Sequence, residues 1–306
     1  MNIENKLGKT ILLIAFFTPT MVFGQSEFLA RITPQEGVVE MRSVRGGWSQ
    51  IEHVVYLVNG NAIRTREDST ALVEISGTEY GATMNSSSQL EVADNQVDLV
   101  RGEFVNNQVR VTNLTARLQE KLRGAFQYVT QRRQGPCQPV IRTARNVTLS
   151  SAHPELVWQN ACPRYTYRLT IDDHVYEIAD AGEDDIVSYT VSEVTPGPHA
   201  YRVEILENNR VIYTPATNST FEWVTRSEAE QLASQIAALG DDVFAQSDLL
   251  EDKGFLVATM HLYRDFFQNH SEENYLRPLL IKAYAELGLY NLQSEEVRLY
   301  NSLRDI

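Results

Sequence analysis

The chain has 306 residues, enough for two or three domains, and 43% hydrophobic with 22% charged residues is ordinary for folded protein. Its net charge of −13 excludes a nucleic-acid partner, because a phosphate backbone would repel it. The charge is uneven: +1 over residues 1–24, −1 over 25–135, −6 over 136–225 and −7 over 226–306, which suggests separate units with different surfaces.

Residues 1–24 read as an export signal. Lys6 and Lys9 precede the apolar run TILLIAFFTPTMVF, and Val22-Phe23-Gly24 supplies residues suited to cleavage after Gly24. The run is short and broken by Pro19, so it makes a poor membrane span, although an uncleaved anchor is the rival reading. No cysteine lies near the cut, which disfavours a lipoprotein, and no later run is long enough to span. The mature protein is therefore expected to be periplasmic or secreted, with no membrane span after cleavage.

Residues 27–110 form an all-β unit of short alternating runs: GVVEMR, WSQIEHVVYLV, AIRT, TALVEI, QLEV and QVDLV. Within LVNGNAIRTREDSTALVEI, Asn59-Gly60-Asn61 is a turn, and Ala62–Thr65 and Thr70–Ile75 read as the two arms of a half-buried hairpin. The order of landmarks is Gly37, Trp48, Gly60-Asn61, Ile63, Thr65, Leu72 and Gly77. It resembles the core of the FecR domain, a module of bacterial envelope proteins. That pattern runs from a Gly-Val opening through a Trp and a Leu-x-x-Gly-Asp turn to Ile-x-Thr, Ala-x-Leu and Gly. Asn61 stands where the pattern has Asp, and Ser76-Gly77 where it has Asp-Gly; both keep turn chemistry but weaken an acidic ligand role. The resemblance implies an exported β module used in signalling or interaction. Sigma-factor regulation does not transfer, since only nine residues precede the apolar run.

A connector helix is expected over 111–135, with Leu114, Leu118, Leu122, Phe126 and Val129 as its apolar stripe and Asn113 as N-cap. Its polar face carries Arg117, Lys121, Arg123, Arg132 and Arg133. Either these cations meet anionic lipid or an acidic partner, or the helix packs on the β unit and leaves them solvated. Gly135-Pro136 ends the element.

Residues 137–225 carry strands about every ten residues with turns at Asp172-Asp173, Pro196-Gly197-Pro198 and Asn208-Asn209, the spacing of an immunoglobulin-like or fibronectin type III-like β-sandwich. Pro154, Trp158, Tyr165, Tyr167 and Leu169, then Pro196-Gly197, Tyr201 and Val203, resemble bacterial fibronectin type III-like modules. Trp158 reads as a core residue rather than a sugar platform. Cys137 and Cys162 flank VIRTARNVTL and ELVWQN, which read as antiparallel arms around LSSAHP that would bring the thiols together. An oxidising compartment makes a disulfide the expected outcome, with two free thiols as the alternative. Carboxylates concentrate at Asp172-Asp173 and from Asp180 to Asp185; calcium or plain solvation would account for them, and their spacing is not that of the twelve-residue calcium loop.

Residues 226–306 switch to helical spacing, with Leu232, Ile236 and Leu239 on one face and Ser227 with Glu230 as a capping box. Ala258, Tyr263 and Phe267, then Leu280, Ala283-Tyr284 and Leu287-Gly288-Leu289-Tyr290, resemble one tetratricopeptide-type helix pair, a unit that often docks a peptide. The predicted fold class is thus multidomain, mainly β and then α: a FecR-like β domain, a sandwich and a helical bundle.

No catalytic signature emerges. The six histidines make no HxH or HExxH pair, and no GxSxG, P-loop or dinucleotide fingerprint occurs. The sequence therefore points to a non-catalytic binding or adaptor protein of the cell envelope, with no cofactor, no metal and an envelope protein or glycan as partner. A periplasmic sensor component is the alternative, and a hydrolase of envelope polymers stands behind both.

Overall fold

A computed structural model describes residues 27–44, 46–110, 113–129, 137–178, 185–192 and 194–304; for 106–110 and 304 it describes the backbone alone. The export signal and its cleavage site lie outside the described residues. The architecture is β, then β, then helical.

Ten short strands build the first unit: β1 (Ala30–Glu36), β2 (Val39–Arg42), β3 (Trp48–Ile51), β4 (Val55–Leu57), β5 (Ala62–Thr65), β6 (Thr70–Ile75), β7 (Tyr80–Met84), β8 (Gln89–Ala93), β9 (Gln96–Arg101) and β10 (Phe104–Arg110). They form two five-stranded sheets, ordered β10-β7-β6-β1-β4 and β3-β2-β5-β8-β9. Alternation explains the core: Ala30, Ile32, Val39, Met41, Leu57, Ile63, Val73, Met84, Leu90 and Val92 point inward and are buried. The hairpin expected from β5 and β6 is not formed. β5 pairs with β2 and β8, whereas β6 pairs with β1 and β7 in the opposite sheet. The chain crosses between sheets at Glu67-Asp68-Ser69, where Asp68 takes a φ of 53°, and the Ser69 hydroxyl accepts the Val38 N–H at 2.8 Å.

The connector is shorter than its apolar stripe suggested. α1 spans Leu114–Ala125 and a 3₁₀ turn covers Phe126–Tyr128; residues 130–136, with Arg132 and Arg133, lie outside the described residues. Asn113 makes no capping hydrogen bond, since its ψ of 13° departs from the extended geometry an N-cap needs. The stripe does not rest on the first β unit alone. Leu114, Leu118, Leu122 and Ala125 join a core shared with the helical segment, and α1 packs against helices given below. Two of its described cations, Arg117 and Lys121, reach into the helical segment, while Arg123 stays largely exposed beside Glu27. Arg117 Nη2 lies 2.6 Å and Lys121 Nζ 2.7 Å from the fully buried Asp248 carboxylate, and Lys121 also reaches Asp252 at 2.8 Å. The acidic partner is this chain's own C-terminal segment.

The second unit is a sandwich of β11 (Asn146–Leu149), β12 (Glu155–Gln159), β13 (Thr166–Ile171), β14 (His174–Ile178), β15 (Ile186–Thr190), β16 (Gly197–Glu207), β17 (Arg210–Tyr213) and β18 (Ser219–Trp223). One sheet runs β11-β18-β16-β13-β14, with β17 added on β16, and faces the pair β12-β15. Tyr167, Leu169, Tyr201, Val203, Ile205 and Phe221 fill the interior, and Trp158 is fully buried there with its ring edge-on to Tyr167 at 6.0 Å. Trp158 is core. The two arms around LSSAHP do not pair with each other. β11 runs parallel to β18, and β12 antiparallel to β15. Reciprocal bonds between Ser150 and His153, each backbone N–H to the other's carbonyl at 3.1 Å, close a turn that carries the chain from one sheet to the other.

Cys137 and Cys162 are nevertheless bonded, with Cα atoms 4.6 Å apart. The Tyr165 hydroxyl donates to the Cys137 carbonyl at 3.1 Å, and Tyr167 ties the Asn160–Ala161 loop. Cys162 is thus held by the loop after β12 rather than by a hairpin. Closing 25 residues of chain stabilises by about 3 kcal/mol in the unfolded-state entropy picture. Reduction is expected to lower the urea midpoint correspondingly, and an unchanged midpoint would show that the bridge contributes nothing.

The third unit comprises α2 (Arg226–Ala237), α3 (Val243–Asp252), α4 (Leu256–Asn269), a 3₁₀ turn (Asn274–Leu276), α5 (Pro278–Glu286) and α6 (Tyr290–Arg304). From α3 onward each helix packs on the next, and α1 lies against α3 and α5. The capping box at the start of α2 sits two residues earlier than the sequence suggested. Thr225 caps and Glu228 answers it, with the Thr225 N–H donating to Glu228 at 2.8 Å. Ser227 lies within the first turn, because β18 ends at Trp223 and leaves Thr225 as the extended residue before the helix.

This helical unit folds back on the first β unit, so the three segments are not beads on a string. Phe28, Tyr56 and Val58 belong to the same buried core as α1, the sandwich and α3–α5. Tyr275 donates its hydroxyl to the Tyr56 carbonyl at 2.9 Å, which covers the β4 edge of the first sheet. Asp242 is the keystone. Its carboxylate accepts the N–H groups of Phe244 and Ala245 at 3.1 and 3.0 Å, capping α3, and accepts Arg31 Nη2 at 2.6 Å from β1. Arg31 also pairs with Glu74 on β6.

Candidate functional site

The landmark residues of the first β unit divide into turns, core and one half-buried ring. Gly37 has a φ of 68°, and a Cβ there would fall 2.4 Å from Ser69 Oγ and 2.6 Å from the Asp68 carbonyl, so no other residue fits. Gly60 and Gly77 also take positive φ at turns. Asn61 is buried and its side-chain oxygen accepts the Val58 N–H at 2.9 Å, a turn closure rather than a ligand position. Ile63 is fully buried, Leu72 is half-buried, and the Thr65 hydroxyl accepts the Ser88 N–H at 3.0 Å. Trp48 is the exception.

Trp48 begins β3, the edge strand of the second sheet, and alternation turns it to the solvent face. The register places Arg42 opposite Trp48, Glu40 opposite both Gln50 and Arg64, and Arg64 opposite Gln89. The guanidinium of Arg64 lies 4.2 Å from the indole centroid and that of Arg42 5.3 Å. Each is tethered by a carboxylate: Arg64 Nε to Glu40 at 2.7 Å, and Arg42 Nη2 to Glu91 at 3.1 Å. Arg66 also reaches Glu40. The hydrogen bonds from Arg64 and Arg66 push the Glu40 carboxyl down to about 2, so it stays ionised through the physiological range. Gln89 donates to Glu91 at 3.0 Å. The result is a flat ladder of carboxylate, guanidinium and indole on a rigid sheet, with a balance of one positive charge among Arg42, Arg64, Arg66, Glu40 and Glu91.

Only Trp48 of this ladder stood out in the sequence. The signal for the others was the alternation itself: Glu40 and Arg42, Arg64 and Arg66, Gln89 and Glu91 are spaced by two, which puts each pair on one face. What linear order hides is that β2 lies between β3 and β5.

The remaining described candidates are spread over the three units. Asp172 and Asp173 occupy the turn between β13 and β14, while residues 180–184 lie outside the described residues. Among the described residues no group of three His, Cys, Asp or Glu side chains is arranged to hold a metal ion. His53 and His270 stack at 4.1 Å where the first β unit meets α4, with Glu273 3.7 Å from His53. His261 pairs with Glu155 at 3.0 Å, and burial lowers the pKa of His153. No described helix is long and apolar enough to cross a membrane.

Comparison with known families corrects the reading of the first and last segments. Residues 141–224 match the immunoglobulin-like domain of the magnetotaxis protein MtxA, and residues 226–302 match its C-terminal domain. The immunoglobulin-like sandwich agrees with this. The FecR resemblance is not supported: the matching families are those of MtxA, and Gly37, Gly60, Ile63 and Thr65 meet turn and core demands common to short-stranded β units. The C-terminal helices likewise match the MtxA domain rather than a tetratricopeptide pair. No curated protein matches the chain. Among solved structures, a biofilm-associated protein BSP domain is 8% identical, with 66% of this chain and 28% of that chain covered and a TM-score of 0.21. The extracellular domain of a one-component system from B. thetaiotaomicron is 6% identical (64% and 26% covered, TM-score 0.19). That of a hybrid two-component system from the same organism is 11% identical (53% and 24%, TM-score 0.18). The chain spans about a quarter of the length of these structures. Likenesses of this size carry no weight for fold or function.

Proposed function

We propose that the chain is an exported, non-catalytic binding protein of the bacterial cell envelope, and that the Trp48 face is its contact surface for an envelope protein or glycan. One observation carries this reading. An indole and two guanidinium groups sit on the solvent side of a sheet, pre-positioned by Glu40 and Glu91. Tryptophan and arginine dominate binding hot spots because they offer large flat area with directional polar edges, and holding them in place beforehand lowers the ordering cost on binding. The disulfide fits an oxidising compartment. The rest of the molecule then serves as a rigid mount, since the sandwich and helices are fastened to the β unit by a shared core.

The test is capture from envelope extract, and from a panel of envelope polysaccharides, with the full chain carrying Trp48→Ala or Arg64→Ala. Either variant is expected to lower retention at least tenfold while thermal unfolding moves little, because a half-exposed cation–π contact is worth about 0.5–1 kcal/mol. Undiminished capture by both variants would place the contact elsewhere. The matches of 141–224 and 226–302 to domains of a magnetotaxis protein favour a second reading, a component of an envelope signalling apparatus for taxis. Deleting the gene and scoring directed swimming separates that reading from simple adhesion.

A further inference from the structure

We infer that His199 is an imidazolium ion at neutral pH and acts as a proton-dependent clamp at one end of the immunoglobulin-like unit. His199 lies near the start of β16, and both of its ring nitrogens meet oxygens that offer lone pairs. Nδ1 is 2.7 Å from Asp172 Oδ2, and Nε2 is 2.7 Å from the Thr195 carbonyl oxygen. A neutral imidazole has one N–H and one lone pair, so it could bond only one of these and would set its lone pair against the other. The cation has two N–H groups and satisfies both. Phe221 stacks on the ring at 5.0 Å and an angle of 22°, leaving the side chain 10% exposed and fixing the plane in which both contacts are made.

The clamp joins three pieces of chain. Asp172 belongs to the turn between β13 and β14, Thr195 to the loop entering β16, and Phe221 to β18. Asp172 is itself doubly engaged, because its Oδ1 accepts the Ala200 N–H at 3.0 Å, and the Asp172 N–H donates to the Ala200 carbonyl at 2.8 Å. The titratable groups around the ring are Asp172 and His174 on the turn and Glu222 on β18. Burial opposes the charge on His199, but the bonds to Asp172 and Thr195 with the nearby carboxylates outweigh it, so its pKa is raised. The bond from His199 lowers the pKa of Asp172. The signs define a window. A raised histidine pKa gives stabilisation that is complete below about 6.5 and is lost as pH rises through the folded-state value. A lowered aspartate pKa gives stabilisation that is lost only as pH falls through its own depressed value. The end of the sandwich is therefore closed at neutral and mildly acidic pH, and alkalinisation releases it.

The experiment is ¹⁵N–¹H NMR of the imidazole rings in the full chain across pH 5 to 10, with Asp172→Asn and His199→Gln as variants. His199 is expected to show two ring N–H protons at pH 7 and to titrate above the range of an unperturbed histidine. Asp172→Asn is expected to lower that midpoint by about one pH unit, and His199→Gln removes the signal and so assigns it. A ring carrying one proton at pH 7, or a midpoint that Asp172→Asn leaves in place, overturns the inference. Should Asp172→Asn fail to fold, the wild-type proton count alone decides.

Discussion

Replacing Asp242 with alanine is expected to destabilise the protein by about 3–5 kcal/mol, because it leaves the Arg31 guanidinium in the interface with one of its two carboxylates gone. The geometry sets that size. Asp242 is 1% exposed in its side chain and Arg31 15%, and their contact is 2.6 Å. Burial works against the Arg31 charge, and the fields of Asp242 and Glu74 more than offset it, which raises its pKa. Tyr56, whose hydroxyl reaches Asp242 at 3.3 Å, is pushed up by burial and then by Asp242, so it stays a neutral donor. The same substitution removes the cap of α3, a further loss of about 1 kcal/mol. Equilibrium unfolding in urea checks this. Asp242→Asn keeps a capping oxygen but not the charge, and should fall between alanine and wild type. Arg31→Met with Asp242→Leu should not recover the loss, since it strands the buried Glu74 carboxylate and still lacks the α3 cap. A change below about 1 kcal/mol for Asp242→Ala would mean that the β unit and the helices do not meet through this residue.

That junction shows what could and could not be read from linear order. Strand alternation, the helical stripe of α1 and the acidic bias of the last segment are local properties, and they yielded the order β, β, α. Partner choice is not local. β5 and β6 have the periodicity of hairpin arms, yet β5 goes to β2 and β8 while β6 goes to β1 and β7, because a sandwich core rewards strands that face each other across it. β11 and β12 repeat the lesson, parted by the Ser150–His153 turn. The disulfide was anticipated for a reason the structure does not use, since Cys162 is positioned by Tyr165 and Tyr167 rather than by a hairpin end. The cations of α1 left lipid, an acidic partner or solvent open, and Arg117 and Lys121 meet Asp248 and Asp252 on α3, more than 120 residues away. An excess of acid in one segment and base in another was the available trace of that contact. The Trp48 ladder was half visible: the ring was conspicuous, but its arginine neighbours come from β2 and β5 and only the sheet order brings them together.

Trp48 and Trp158, two of the three tryptophans, provide the second large prediction, because the same side chain has opposite roles in the two β units. Trp158 has no exposed surface and fills the space between β12 and the sheet holding Tyr167. Truncating it leaves a cavity that a close-packed interior refills only in part, so Trp158→Ala is expected to cost about 3–5 kcal/mol. Trp158→Phe should cost less, since it keeps an aromatic ring against Tyr167 and removes an indole N–H that meets no hydrogen-bond partner among the described residues. Trp48→Ala removes a ring on the solvent face beside two guanidinium groups, and should leave unfolding nearly unchanged while lowering capture at least tenfold. Measuring urea unfolding and ligand retention on both variants separates the roles. If Trp158→Ala unfolds like wild type, the indole is not packed in the sandwich; if it keeps its stability and loses capture, the binding surface lies on the immunoglobulin-like unit and the Trp48 face is the mount.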